Sequence, residues 1–289
     1  MPSYAYHRPT TLSAALALKS ATPNSRFIAG GTDLLVAMKR RKAPPPDALI
    51  SLRNIEDLAG IEVGDRIRIG STVPLSDIEQ HPTIAQHFPT LIASIAALGS
   101  RQIRNVATVG GNLCNASPAA DTAPPLFVHG ALVELRSEAH QREVPIEGFF
   151  REPGRCAIED GEVLTAIVLE RPSASADTRS LFLRKGRVKM DLAVVSVAVL
   201  MELQNGVCSK ARVAAGAVAP TPLRLREVEA ILEGTQLTDD ILLEAQEAAM
   251  TSVSPITDLR STEEYRRDLI GVYVRRAVEH LRVGGAKRD

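Results

Sequence analysis

The sequence predicts an α+β protein of two domains, and three observations predict it. The first half alternates short apolar runs with stretches of helical periodicity. Beyond it, three valine-rich strand candidates are followed by three helical segments, the order of an α+β domain. Between the two halves, residues 171–178 form a small, polar, proline-containing linker that sets the domain boundary. The expected domains are therefore 1–175 and 178–285. A chain of 289 residues suits two domains, and 45% hydrophobic residues suffice to build their cores.

In order along the chain, residues 11–18 have helical periodicity behind a Thr10 or Thr11 N-cap. Residues 26–29 form a short apolar run ending in glycine, a buried strand. Residues 33–41 read as a helix whose basic end suits the helix dipole. Pro44, Pro45 and Pro46 enforce an extended connection. Residues 48–52 and 66–69 are further strands. Residues 74–80 and 82–98 are two helices, each opened by a proline, and 91–98 is the best apolar face of this half. Strands follow at 132–135 and 163–169. After the linker, strands are expected at 180–187, 191–203 and 211–219, then helices at 225–233, 239–252 and 262–282.

Composition excludes several classes of function. Thirty-four basic residues balance 34 acidic ones, so nothing calls for nucleic acid or an anionic membrane. The N-terminal residues lack the basic and apolar regions of a secretory signal, and the longest apolar run, 192–201, is too short for a membrane span. A cytoplasmic location is expected. Cys114, Cys156 and Cys208 are separated by 42 and 52 residues with no CxxC pair. Such spacing supports no structural zinc, no four-cysteine iron–sulfur cluster and no disulfide framework. Cys114 falls within a glycine loop, where a small residue also simply fills space.

Two Gly-Gly steps carry the chemistry. The first is Phe27-Ile28-Ala29-Gly30-Gly31-Thr32-Asp33. The second is Thr108-Val109-Gly110-Gly111-Asn112, continuing through Cys114 to Ala116-Ser117-Pro118 and Asp121. A glycine pair lets the backbone turn and approach a ligand without a Cβ. Successive bare N–H groups form a concave nest for phosphate oxygens, and two such loops suit a pyrophosphate gripped from both sides, hence a dinucleotide. Thr32 offers a hydroxyl at a helix start. Asp121 is a candidate acceptor for ribose or ring N–H groups, or else a helix cap before Ala123. The chain has no GxGxxG, no GxxxxGK[ST], no GxSxG and no HExxH, so Rossmann, P-loop, hydrolase-elbow and zincin chemistries have no signature.

The two segments, AGGTDLL and TVGGNLCNASPAADTAPPL, resemble the FAD-binding signatures of the flavoprotein (medium) subunits of molybdenum hydroxylases. These include the medium subunits of carbon monoxide dehydrogenase and the flavin domain of xanthine dehydrogenase. The resemblance extends through Gly-Glu-Val-Leu-Thr at 161–165 and Phe182-Leu183-Arg184-Lys185-Gly186-Arg187 to Asp191-Leu192-Ala193. It implies a vanillyl-alcohol-oxidase-type (PCMH-type) FAD-binding fold in two subdomains plus a smaller α+β C-terminal domain. It also implies roles: Ala29, Gly30, Gly31, Thr32 and Asp33, with Thr108, Val109, Gly110, Gly111 and Asn112, hold the FAD pyrophosphate. Asp121 binds the flavin or ribitol side, Leu164 packs near the ring, and Lys185, with Arg184 as the alternative, lies near the flavin edge. Leu98 stands where relatives carry an aromatic residue.

The resemblance further implies an electron-transfer subunit with no catalytic residue and no metal of its own. Electrons come from a small subunit with [2Fe–2S] clusters, fed by a molybdopterin large subunit, and leave to an external acceptor. No cysteine-rich insertion lies between Asn115 and Asp121, so the [4Fe–4S] cluster of the branch that resembles 4-hydroxybenzoyl-CoA reductase is not expected. A free-standing FAD oxidoreductase of the same fold is the main alternative, and a degenerate scaffold that binds no flavin is a third.

Overall fold

The computed structural model describes residues 4–40, 45–172 and 177–284. In chain order its elements are β1 (Ala5–His7), α1 (Leu12–Ala21), β2 (Ser25–Ile28), α2 (Leu34–Lys39), β3 (Ala48–Ser51), β4 (Ile61–Val63) and β5 (Arg66–Gly70). Then come α3 (Leu75–Gln80), α4 (Pro82–His87), α5 (Pro89–Ala97), α6 (Arg101–Arg104), α7 (Val109–Cys114) and α8 (Ala123–Val128). Strands β6 (Leu132–Arg136), β7 (Gln141–Pro145), β8 (Phe150–Glu152), β9 (Arg155–Cys156) and β10 (Val163–Glu170) follow. The last part holds β11 (Asp177–Lys185), β12 (Val195–Gln204), β13 (Val207–Gly216), β14 (Leu223–Arg224), α9 (Arg226–Leu232), α10 (Asp239–Thr251) and α11 (Glu263–Arg282).

These elements form two compact units whose segments interleave along the chain. The first comprises Met1–His81, Ser100–Ala116 and Ala131–Arg171; the second comprises Pro82–Gly99, Ser117–Gly130 and Pro172–Asp289.

In the first unit, β1, β3 and β2 form a parallel three-stranded sheet in that order. Parallel neighbours need crossovers: α2 lies on the connection from β2 to its neighbour β3, while α1 connects β1 to β2 across the width of the sheet. Thr11 caps α1 by accepting the Ala14 N–H at 3.2 Å, and Leu12, Ala15 and Leu16 turn inward onto Ile50 and Leu52. Helix α2 ends at Lys39 with Arg40 as its C-cap; Arg41 of the expected helix, and Pro44, lie outside the described residues. A second sheet runs β4-β5-β10-β6-β7, all antiparallel. Its central strand β10 is buried at every residue except Glu170, so apart from Thr165 it reads as an apolar run rather than an alternating one. The register shifts between Leu164 and Ala166. At that bulge the Thr165 hydroxyl donates to the Glu134 carboxylate, which also accepts from Arg68 Nη2 at 2.9 Å.

In the second unit β11, β12, β13 and β14 form an antiparallel sheet. Val195, Val197, Val199 and Met201 of β12 share one core with Ile270, Val274 and Val278 of α11 and with Leu242 of α10. The alternate β12 residues Ser196 and Ala198 are equally buried, because α5 and α8 pack against the strands as well. Gly216 permits the approach of α8: a Cβ there would stand 2.6 Å from Ser196 Oγ and 3.3 Å from Pro124.

Two expectations need correction. The helix expected over 82–98 is broken into α4 and α5 at Phe88 (φ −132°, ψ 57°). Pro89 is the reason: it lacks an N–H and pushes the preceding residue out of the helical region. The strand expected over 191–203 begins only at Val195, because Asp191 closes a turn in which its carboxylate accepts from Arg187 Nε at 2.6 Å.

Candidate functional site

Strand β2 delivers Ala29 to the first glycine pair. Gly31 has φ +72°, the left-handed region that glycine enters without strain, and its carbonyl accepts the Leu35 N–H at 3.0 Å as α2 begins. Asp33 occupies the N-cap position of α2 without a side-chain capping bond. Ala29, Gly30, Gly31 and Thr32 are half-buried and Asp33 is exposed.

Gly30 is in contact with the approach to the second pair. A Cβ on Gly30 would overlap the Val106 carbonyl, standing 2.8 Å from its carbon and 2.9 Å from Ala107 Cα. Thr108 follows directly. The two glycine segments, 78 residues apart at Gly30 and Thr108 (108 minus 30), therefore meet in the first unit.

The second pair was expected in a loop, but it forms the first turn of a helix. Thr108 is the N-cap of α7: its hydroxyl accepts the Gly111 N–H at 3.0 Å and its carbonyl accepts the Asn112 N–H at 2.9 Å. A threonine three residues ahead of a bare amide is a capping pattern, and capping outweighs the poor helix propensity of two glycines over so short an element. First-turn amides of a helix have no intrahelical acceptor, so those of Val109 and Gly110 are available to anionic oxygen while that of Gly111 is engaged. Gly110 is also held by packing. A Cβ there would stand 2.7 Å from the Ser71 carbonyl oxygen, and Ser71 N–H in turn donates to Thr165 O on β10 at 2.9 Å. Leu164, on β10, is 2% exposed. These bare backbone edges, with no Cβ tolerated at Gly30 or Gly110, fit a group that is held by main-chain N–H groups rather than by side-chain charge.

Asp121 and Lys185 belong to the second unit. Asp121 is not a helix cap, since Thr122 occupies the N-cap position of α8. Its carboxylate instead accepts from Arg184 Nε at 2.9 Å, both side chains being less than a tenth exposed. Burial raises the Asp121 carboxyl to about 6, against the lowering pull of Arg184. Successive strand residues face opposite sides, so Arg184 turns inward to Asp121 while Lys185, the last residue of β11, is exposed. Leu98 is the half-buried C-cap of α5.

Sequence reasoning missed Val106 and Ser71, whose backbones press on Gly30 and Gly110, because neither carries a recognisable side-chain signal. It also missed the pairing of Asp121 with Arg184. The three cysteines are free thiols. Among the described residues no group of three or more His, Cys, Asp or Glu side chains is arranged to hold a metal ion. No helix among them is long and apolar enough to cross a membrane.

Comparison with known proteins agrees with this geometry over nearly the whole chain. Residues 2–172 match the family described as FAD binding domain in molybdopterin dehydrogenase, and residues 182–281 match the CO dehydrogenase flavoprotein C-terminal domain. The chain is 31% identical over 285 residues to the putative xanthine dehydrogenase FAD-binding subunit XdhB of Escherichia coli (strain K12), covering 98% of this chain and 97% of that protein. It is 33% identical over 283 residues to the carbon monoxide dehydrogenase medium chain of Afipia carboxidovorans, covering 97% of each. Its fold superposes on a chain of reconstituted CO dehydrogenase from Oligotropha carboxidovorans with a TM-score of 0.93 at 32% identity, over 98% of both chains. The chain belongs to the family of FAD-binding medium subunits of the molybdenum hydroxylases.

Proposed function

We propose that this chain is the electron-transfer subunit of a cytoplasmic, heteromeric molybdenum hydroxylase. In this reading a small subunit delivers electrons from [2Fe–2S] clusters, a molybdopterin large subunit oxidises the substrate, and an external acceptor receives the electrons. The observation that carries the reading is the contact of Gly30 with Val106, which sets the two glycine segments side by side.

Bound FAD would supply the switch between two-electron and one-electron transfer. The chain's own part is binding and orientation. Backbone amides of Ala29, Gly30, Gly31, Thr32 and Asp33 receive one side of the pyrophosphate, and those of Val109 and Gly110, backed by Thr108, Gly111 and Asn112, receive the other. Thr32 adds a hydroxyl donor. Asp121 serves the flavin or ribitol side, Leu164 contributes an apolar wall that excludes water, and Lys185 places a cation at the flavin edge. Arg184 is committed to Asp121 at 2.9 Å, which supports Lys185 over Arg184 for that last role.

The test begins with the chain expressed alone, its visible absorption recorded and the released cofactor identified. About one FAD per chain is the expected result, and a chain that takes up none after reconstitution with excess FAD overturns the binding reading. The loaded chain, reduced chemically, is then offered NAD⁺, oxygen and a quinone to identify the acceptor. Oxidation of an organic substrate by the isolated chain would overturn the division of labour and establish a free-standing FAD oxidoreductase.

A further inference from the structure

The second glycine segment lies on a bed that its own sequence does not supply. Residues 71–75, which follow β5, run antiparallel to residues 107–110. Leu75 N–H donates to Ala107 O at 2.8 Å, Pro74 bridges Thr108, and Ser71 O bars a Cβ at Gly110. The bed is fastened at two points. Thr72 donates twice to Leu58 O, through its N–H at 3.0 Å and its hydroxyl at 2.8 Å. Ser71 N–H donates to Thr165 O at 2.9 Å.

Thr165 is the extra residue of the β10 bulge. On either side of it Leu164 pairs with Leu135 and Ala166 with Glu134, so Thr165 itself is left unpaired on β6. The pairing with β5 begins one residue later, at Ala166. A bulged residue lacks the ladder that restrains its neighbours, and here the side chain takes over. The Thr165 hydroxyl donates to the Glu134 carboxylate and lies 3.2 Å from the Glu134 main-chain oxygen. Glu134 also accepts from Arg68 Nη2 at 2.9 Å, and Arg68 Nη1 donates to Glu62 at 3.2 Å. Thr165 and Glu134 are both buried, where a hydrogen bond is stronger than in water.

We propose that Thr165 and Glu134 are positioning residues for the second glycine segment: the carboxylate fixes the bulge, and the bulge fixes, through Ser71, the place at which α7 begins. The inference rests on the reading of the first turn of α7 as half of the pyrophosphate grip. The contacts run from Arg68 through Glu134, Thr165 and Ser71 to Gly110, and every link lies in the first unit. Backbone amides grip an anion only when they already converge on it, and that precision comes from the groups behind them. Without the Thr165 hydroxyl the bulge relaxes and Ser71 follows it. The amides of Val109 and Gly110 then lose their alignment before any cofactor arrives.

The test compares Thr165→Val, which keeps the branched shape but removes the hydroxyl, with Thr165→Ser, which keeps the hydroxyl. Hydrogen exchange of the full chain, without flavin, is followed by mass spectrometry. Peptides covering 107–115 are expected to exchange roughly tenfold faster in Thr165→Val, the worth of about one hydrogen bond, and at the wild-type rate in Thr165→Ser. Peptides from α1 and α11 are expected not to change, which separates positioning from a general loss of stability. FAD is then titrated into the three proteins, and a dissociation constant roughly tenfold weaker is expected for Thr165→Val alone. Unchanged exchange at 107–115 in Thr165→Val, acceleration spread evenly over the chain, equal acceleration in Thr165→Ser, or wild-type FAD affinity in Thr165→Val overturns the proposal. Glu134→Gln is a milder change that weakens the acceptor without emptying the site. It is expected to speed exchange at 107–115 about threefold, and no change there overturns the proposal even if Thr165→Val fails to fold. A wild-type chain that binds no FAD removes the cofactor reading, and the exchange measurements still decide the positioning.

Discussion

Gly30 lies directly against the carbonyl of Val106, with no space for even a methyl group between the two backbones. The contact joins the end of β2 to the entry of α7, so the register of one glycine segment against the other is set by main chain alone. Gly30→Ala must push the segments apart and is expected to cost about 1–3 kcal/mol by overpacking, with loss of most bound FAD. Gly64→Ala is the control, because a Cβ there meets only Arg66 O at 3.5 Å. Thermal midpoint and flavin absorption of the two variants, measured together, check the difference.

Asp121 makes stability depend on pH in the direction opposite to most carboxylates. Its folded pKa of about 6 lies above the ordinary 3.8 because burial outweighs Arg184. The folded state therefore holds the proton more tightly, and this contribution is full below 3.8 and lost as pH rises through about 6. The loss amounts to about 3 kcal/mol at ~1.4 kcal/mol per unit. Urea unfolding at several pH values from 4 to 7 should show wild-type stability falling relative to Asp121→Asn. Arg184→Met should drive the Asp121 carboxyl higher still.

Glu162 behaves in the ordinary way, and strongly. Arg142 donates to its two oxygens through Nε and Nη2, both at 2.7 Å, and this chiefly lowers the carboxyl from 4.5 to about 2. Its contribution is present above 4.5 and disappears as pH falls toward 2. Arg142→Leu removes both donors and is expected to raise the acid-unfolding midpoint by roughly one pH unit, read by circular dichroism.

Arg266 crosses the core of the second unit at 1% exposure. Its Nη1 donates to Val194 O at 2.7 Å and Ala217 O at 3.1 Å, and its Nη2 donates to Asp258 at 2.8 Å. Arg266→Met fills a similar volume but strips two buried carbonyls of their donor. A cost of about 3 kcal/mol is expected in chemical denaturation, and a change within experimental error would show that water replaces the guanidinium.

What the sequence made legible was local. Thr11 announces the start of α1 through its own hydroxyl, which accepts the Ala14 N–H three residues on. Gly30 and Gly31 announce a turn after a strand because only glycine relieves the crowding there. Strand β10 was legible at 163–169, where Thr165 alone interrupts the apolar residues. What stayed hidden depends on distant partners or on competing local signals. The edge strand β7, Gln141–Pro145, is too polar to stand out. Pro89 opens α5 but ends α4, and the apolar periodicity on either side masks the break. Arg184 and Asp121 are 63 residues apart, and nothing in either neighbourhood names the other.

The order in which the chain is made gives the interleaved units a cost. Helices α5 and α8 leave the ribosome well before β11, β12 and β13, the strands they pack against. Until those strands arrive, Leu91, Ile95, Leu126 and Phe127, all buried in the finished protein, have no sheet to cover. The newborn chain therefore passes through an interval in which its first unit can close while two sticky helices wait. Chaperone capture in that interval, and aggregation of chains truncated at the linker, follow from the same topology.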